Sequence, residues 1–220
     1  MCGRYTLRTT AREIAETFDV PEVPELPARF NIAPTQDVPV VRLGDGGREF
    51  HLLHWGLIPS WADDPDIGSR MINARAETVA EKPAFRRAFR SRRCLVVSDG
   101  FFEWRREGGR KQPYFIRMKD DRPFAFAGLW ERWDKLGEPI ESCTLITGEP
   151  NEVVALIHDR MPVIVPESAY EHWLDPDVQD PKRLQGLLVP CPSEEMEAYP
   201  VSTLVNSPSN DVERCVEPAS

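Results

Sequence analysis

Short apolar-rich segments, each bounded by turn-forming residues, dominate the chain and predict strands rather than long helices. Val38 to Leu43 and Glu49 to Trp55 flank Gly44-Asp-Gly-Gly47 and predict a hairpin. The apolar run Cys94 to Ser98 predicts a buried strand, followed after the Asp99-Gly100 turn by a strand over Phe101 to Arg106. Pro113 to Met118, Phe124 to Trp130, Ser142 to Thr147, Met161 to Val165 and Ala198 to Leu204 read as further strands. Helical patterns are few and short. Thr10 followed by Glu13 is a capping box and opens a helix that runs to Phe18. Pro83 to Ser91, Glu149 to Ile157, Glu167 to Leu174 and Pro181 to Leu187 predict the others. There is no internal repeat and no regular βαβ alternation. The expected class is α+β, a single domain with a curled, mainly antiparallel sheet flanked by short helices, then a polar tail.

Composition narrows this picture. Hydrophobic residues make up 41% of the chain and six are Trp, enough for a real core, while 21 Pro favour loops and short helices. No apolar run approaches the roughly 20 residues of a membrane span. The first residues lack a basic-then-apolar export pattern. The cysteines, Cys2, Cys94, Cys143, Cys191 and Cys215, are odd in number and widely spaced. They predict reduced thiols in a cytoplasmic protein, and no Cys/His spacing suggests zinc. The net charge of −9 argues against general adhesion to nucleic acid. Residues 70 to 93, however, hold eight cations (Arg70, Arg75, Lys82, Arg86, Arg87, Arg90, Arg92, Arg93) against Glu77 and Glu81, a local net of +6. Such a stripe either binds phosphates or is a solvated helix face.

The chemistry begins at Met1-Cys2. A small second residue permits removal of the initiator Met, which would leave Cys2 with an α-amine beside its thiol. The amine, with a pKa of about 7.7–8.0, is substantially neutral near pH 7. A thiol near 8.5 is partly thiolate, more so beside a cation. An aminothiol condenses with an aldehyde to an imine, and the sulfur then closes a thiazolidine. If residues 2 to 7 are a strand, Cys2, Arg4 and Thr6 share one face. Two other readings stay open at this point. Cys2 is an ordinary residue near a frayed end, or it is the nucleophile of an amidohydrolase, since class II glutamine amidotransferases also begin Met-Cys-Gly.

Seven stretches occur in one order: Met1-Cys-Gly-Arg-Tyr5, Phe30-Asn-Ile-Ala-Pro34, Trp55-Gly-Leu, Ile72-Asn-Ala-Arg-Ala-Glu-Thr78, Asp99-Gly-Phe-Phe-Glu-Trp104, Ala127-Gly-Leu-Trp130 and Ile157-His-Asp-Arg-Met-Pro162. In these the chain resembles the SRAP family, the abasic-site processing proteins. The resemblance implies one SRAP-type domain over residues 1–206, its sheet partly closed into a barrel, with 207–220 as a polar tail. It implies catalytic roles for Cys2, Asn73, Glu103 and His158, DNA contacts from Arg4, Arg75, Arg160, Trp61 and Pro34, and chemistry without metal or other cofactor. The implied partner is single-stranded DNA carrying abasic sites, met by a monomer away from membranes. The implied product is a covalent crosslink formed by lyase-type imine chemistry. Met1 would be removed by an aminopeptidase or by the protein itself, as the family's peptidase label suggests.

Taken alone, those residues keep other readings. Glu103 is a base with a raised pKa, or a strand Glu facing water between core aromatics. His158 is a proton donor or a structural residue at a helix end. Asn73 holds the amine, or serves as a cap or turn residue. Arg4, Arg75 and Arg160 each lie two positions after a candidate catalytic residue, which on extended backbone puts each pair on one face. Ala62 stands where some family members carry a second Trp, so the stacking wedge at Trp61 is expected to be weaker or built differently. A non-covalent single-strand binder also remains open.

Overall fold

The structure is a computed structural model in which residues 2–219 are described. It opens with strand β1 (Tyr5–Leu7) and helix α1 (Ala11–Phe18), the latter started by the capping box between Thr10 and Glu13 and ended at Asp19. β2 (Arg29–Ile32) leads to the hairpin of β3 (Asp37–Gly44) and β4 (Gly47–Trp55). β5 (Asn73–Arg75) and α2 (Arg86–Ser91) come before the central strands β6 (Arg93–Ser98), β7 (Gly100–Glu107), β8 (Arg110–Met118), β9 (Phe124–Trp133) and β10 (Ile140–Gly148). α3 (Glu152–Ala155), β11 (Met161–Pro162), β12 (Ile164–Val165), α4 (Tyr170–Leu174), α5 (Pro181–Gln185) and β13 (Met196–Pro200) complete the order.

Two sheets result. The first, β13-β8-β7-β1-β2, is antiparallel throughout. In the second, β4-β3-β6-β9-β10 close into a ring because β9 pairs with β10 and β10 pairs in parallel with β4. The closing β4–β10 contact covers only Ser142↔His54 and Cys143↔Trp55, so the barrel is partly closed. The α+β class and curled sheet read from the sequence are therefore the ones observed. The sheets meet through aromatic edges. Tyr5 lies 5.4 Å from Trp55 and 5.8 Å from Phe126, and Phe101 lies 5.9 Å from Phe126. Each such pair contributes about 0.5–1.5 kcal/mol beyond its burial.

Several elements differ from the sequence reading. β2 and β5 were not expected: each is only three or four residues long, too short for an alternation to register. β5 exists because β10 offers it an edge, pairing Leu145↔Asn73 in parallel. The helix expected over 149–157 shrinks to α3, since Asn151 caps it by accepting from Val154 N–H at 3.0 Å. The last strand ends at Pro200, and 203–206 form a 3₁₀ turn capped by Ser202. Residues 207–219, polar by composition, lie against the first sheet. The Asp211 carboxylate accepts from the N–H groups of Phe30 and Asn31, Cys215 and Val216 pack with Phe102 and Phe115, and Ala219 N–H donates to Pro200 O at 2.8 Å. All five cysteines are unpaired and buried. No helix among the described residues is long and apolar enough to cross a membrane.

Candidate functional site

The antiparallel register of β1 on β7 sets the site. Tyr5 pairs with Phe101, and Phe102 N–H donates to Arg4 O at 3.0 Å, so residues 2–4 run alongside Glu103. Cys2 is 0% exposed and its Sγ lies 3.7 Å from Arg4 O. Burial, reinforced by the Glu103 carboxylate, pushes the thiol pKa well above its ordinary range. This reverses the expectation of a cation-stabilised thiolate. The Arg4 guanidinium is committed elsewhere: it donates to Asn31 Oδ1 at 3.2 Å, Val205 O at 2.7 Å and Asn206 O at 3.4 Å. β1 proper begins only at Tyr5, so the shared strand face of Cys2, Arg4 and Thr6 does not form. Thr6 instead donates to the buried Asp99 at 2.6 Å.

Asn73 opens β5 and donates from Nδ2 to Cys2 O at 2.8 Å. Its Oδ1 is buried with no hydrogen-bond partner among the described residues. A buried acceptor left open calls for an explanation, and here it can take an N–H or O–H that enters beside Cys2. Glu103 shares the Phe101 face of β7, while Phe102 and Trp104 face the satellite cluster with Phe115 and Val205. That period-two alternation turns Glu103 inward and leaves it 2% exposed, so the water-facing reading fails. Burial pushes its carboxyl pKa up to about 7.

His158 sits in the turn after α3, its N–H donating to Val154 O at 2.9 Å. The Arg160 N–H donates to its Nδ1 at 3.0 Å, which in the neutral ring leaves the proton on Nε2, 4.0 Å from Glu103 Oε2. Asp159 Oδ1 lies 3.0 Å from Nδ1, a contact the protonated ring can satisfy. Burial lowers the imidazole pKa. A depressed imidazole and a raised carboxyl thus face each other, which eases proton transfer near neutral pH. The structure brings Cys2 to Asn73 and Glu103 to His158.

Glu103 and His158 line a cleft of about 440 Å³ together with Trp104, Arg106, Lys111 and Asn206, while Cys2 lies buried behind it. Trp104 donates to Asn206 Oδ1 at 2.8 Å. Arg106, Lys111 and Asn206 escaped the sequence reading. Arg106 was legible as the next position on the Phe102–Trp104 face of β7, but Asn206 arrives only through long-range packing. A larger apolar cavity of about 640 Å³, between Met118, Phe124, Ile164, Tyr170 and Cys191, contains none of the four candidates.

The expected DNA contacts fall into unlike environments. Arg75 is exposed at the end of β5, on the strand face of Asn73. Arg160 is already held, donating to both Glu77 carboxylate oxygens at 2.6 and 3.0 Å and to Thr147 O at 2.6 Å. The backbone from His158 to Arg160 is irregular and bends at Asp159, so the strand-spacing argument does not apply there. Trp61 is 54% exposed, whereas Ala62 is buried with Ile58 and Trp133. No second indole fits at that position. Pro34 is half-buried and is followed by Thr35 at φ 69°. This left-handed conformation is uncommon for a β-branched residue; it aims Thr35 N–H at Trp55 O, 2.9 Å away. The basic run divides. Arg93 is buried against backbone carbonyls and Arg92 pairs with Glu131. Lys82, Arg86, Arg87 and Arg90 point into solvent.

Two sheets, one of them a partly closed barrel and the other leading residues 2–4 into β1 beside a buried carboxylate that faces an imidazole, define the class. The chain belongs to the SOS response associated peptidase (SRAP) family, whose pattern matches residues 1–208. It is 46% identical over 216 residues to abasic site processing protein YoaM of Bacillus subtilis, covering 96% of this chain and 95% of that one. It is 30% identical over 227 residues to abasic site processing protein YedK of Escherichia coli, covering 99% and 100%. A crystal structure of a protein from Bacteroides thetaiotaomicron superposes with a TM-score of 0.88 at 33% identity, covering all of both chains. The family resemblance drawn from the seven stretches is thereby borne out.

Proposed function

We propose that this protein captures abasic sites in single-stranded DNA as a covalent thiazolidine at Cys2. The observation that carries the reading is the buried Glu103 carboxyl facing His158 Nε2 at 4.0 Å, beside a Cys2 that Asn73 holds by its carbonyl at 2.8 Å. Met1, outside the described residues, leaves first, by an aminopeptidase or by the protein's own action. The freed amine attacks C1′ of the open aldehyde. His158 donates toward the ring oxygen during opening, and Glu103 moves protons as the carbinolamine loses water to give the imine. The neutral Cys2 thiol then adds across the C=N bond: sulfur bonds to C1′ and its proton goes to nitrogen. A thiol kept protonated by burial suits this order, in which the amine attacks first. The open Asn73 Oδ1 orients the amine. The product shields the lesion in DNA repair, and no redox partner is needed. The protein would act in the cytoplasm, at the nucleoid if its source is bacterial or archaeal.

Intact mass tests the reading. The purified protein should lack one Met, and mixing with an abasic oligonucleotide should give an adduct equal to the two masses less one water. A fully retained Met1 in a crosslinking preparation would sink the aminothiol mechanism. Equal binding of intact and abasic strands with no adduct would favour a non-covalent binder, and glutamine-dependent ammonia release an amidohydrolase. For the phosphate path, Arg75→Ala should weaken binding alike across sequences and flatten the log–log salt dependence by about 0.7, the share of one phosphate on a single strand. An unchanged slope would remove Arg75 from that path.

A further inference from the structure

The cleft beside Glu103 and His158 contains two cations that the capture chemistry does not use. Arg106 on β7 lies directly opposite Lys111 on β8, and both are exposed. Like charges facing each other across a strand pair repel and cost stability. Of the other cations on these strands, Arg105 pairs with Glu107 and Arg117 with Asp121 and Glu197, whereas Arg110 at the hairpin end makes no ion pair among the described residues. Arg106 and Lys111 make no ion pair among the described residues, and both line the cleft that His158 and Glu103 also line. The field of Arg106 reaches the imidazole, where it adds weakly to the effect of burial. At about 440 Å³ the cleft is the size of a small-ligand site.

We propose that Arg106 and Lys111 form a phosphate subsite that holds one of the two phosphates flanking the captured sugar. This rests on the capture reading above. An anion between the two side chains would relieve their repulsion, and a phosphate fixed there would tether the strand at the cleft. Arg106 and Lys111 would bind the strand and touch none of the reacting atoms.

The test compares the parent with R106A/K111A on three abasic oligonucleotides. The lesion is internal, at a 5′ end without its 5′ phosphate, or at a 3′ end without its 3′ phosphate. For the parent, removing one particular phosphate should raise the half-saturating concentration for crosslinking roughly ten-fold, the scale of a charge-assisted hydrogen bond. The double variant should show that raised value already with the internal lesion and lose nothing more when the same phosphate is removed. Its maximum rate should stay within about two-fold of the parent, as expected when binding rather than chemistry is lost. Its melting temperature should equal or exceed the parent's, because repulsion has been removed. An unchanged half-saturating concentration, or a loss that adds to the removal of either phosphate, would overturn the subsite while leaving capture intact. A parent that forms no adduct with any of the three would instead overturn the capture reading and the subsite with it.

Discussion

Replacing Cys2 by alanine should leave a folded protein that still binds single-stranded DNA but forms no adduct that survives heating. The two nucleophiles of residue 2 do different work, and this substitution removes one of them. Alanine is also small, so Met1 should still be removed and the α-amine exposed. That amine can form an imine at C1′, which acidifies the C2′ proton and invites loss of the 3′ phosphate by β-elimination. Without sulfur to close the ring, the imine should hydrolyse or lead to strand cleavage. On a gel of labelled abasic oligonucleotide, the parent should give a heat-stable band and an uncut strand. The variant should give a band only when borohydride traps the imine. A stable adduct from Cys2→Ala without borohydride would refute the thiazolidine. Loss of even the trapped imine would make the thiol the first nucleophile, against the raised pKa that burial gives it.

Glu103→Gln should slow crosslinking by about 10²–10⁴-fold, the usual contribution of a general acid–base group, while making the protein more stable above neutral pH. Both effects come from burial. The Glu103 carboxyl, 2% exposed, has its pKa raised from 4.5 to about 7. Below pH 4.5 it is protonated in the folded and unfolded chains alike, and its contribution to stability is intact. As pH rises toward 7 the unfolded chain releases the proton and the folded chain keeps it, so stability falls. Above about 7 the loss is complete, about 3 kcal/mol for a shift of this size. Glutamine does not titrate. Urea unfolding should therefore find the variant and parent similar at pH 4 and the variant more stable at pH 8. In the rate profile, the parent should show a rise through about pH 7 that the variant lacks. A variant that crosslinks at the parent rate, with the inflection near 7 intact, would remove Glu103 from the proton path.

What could be read from the sequence was whatever depends on neighbours along the chain. The capping box at Thr10 and Glu13, the β3–β4 hairpin around Asp45-Gly46, and the apolar run at β6 are local patterns, and each formed as read. The resemblance carried by the seven stretches nominated Cys2, Asn73, Glu103 and His158, but alternation alone could not say which face of β7 was wet. The packing of the second sheet on β7 decided that, by covering the Phe101–Glu103 face, with Phe101 5.9 Å from Phe126 of β9. Tertiary packing also decided the state of the thiol. Cys2 and Arg4 lie two apart in the chain, yet the guanidinium is drawn to the carbonyls of Val205 and Asn206, and burial governs the sulfur instead. The short strand β5 and the docking of residues 207–219 had no periodic signature, because partners far along the chain specify them: β10 for the first, Phe30, Asn31 and Pro200 for the second. The sequence alone thus determined the strand-rich architecture and the residue types available for chemistry. Which of them are buried, and which face one another, depended on long-range pairing, because desolvation and electrostatic coupling arise only once separate strands have come together.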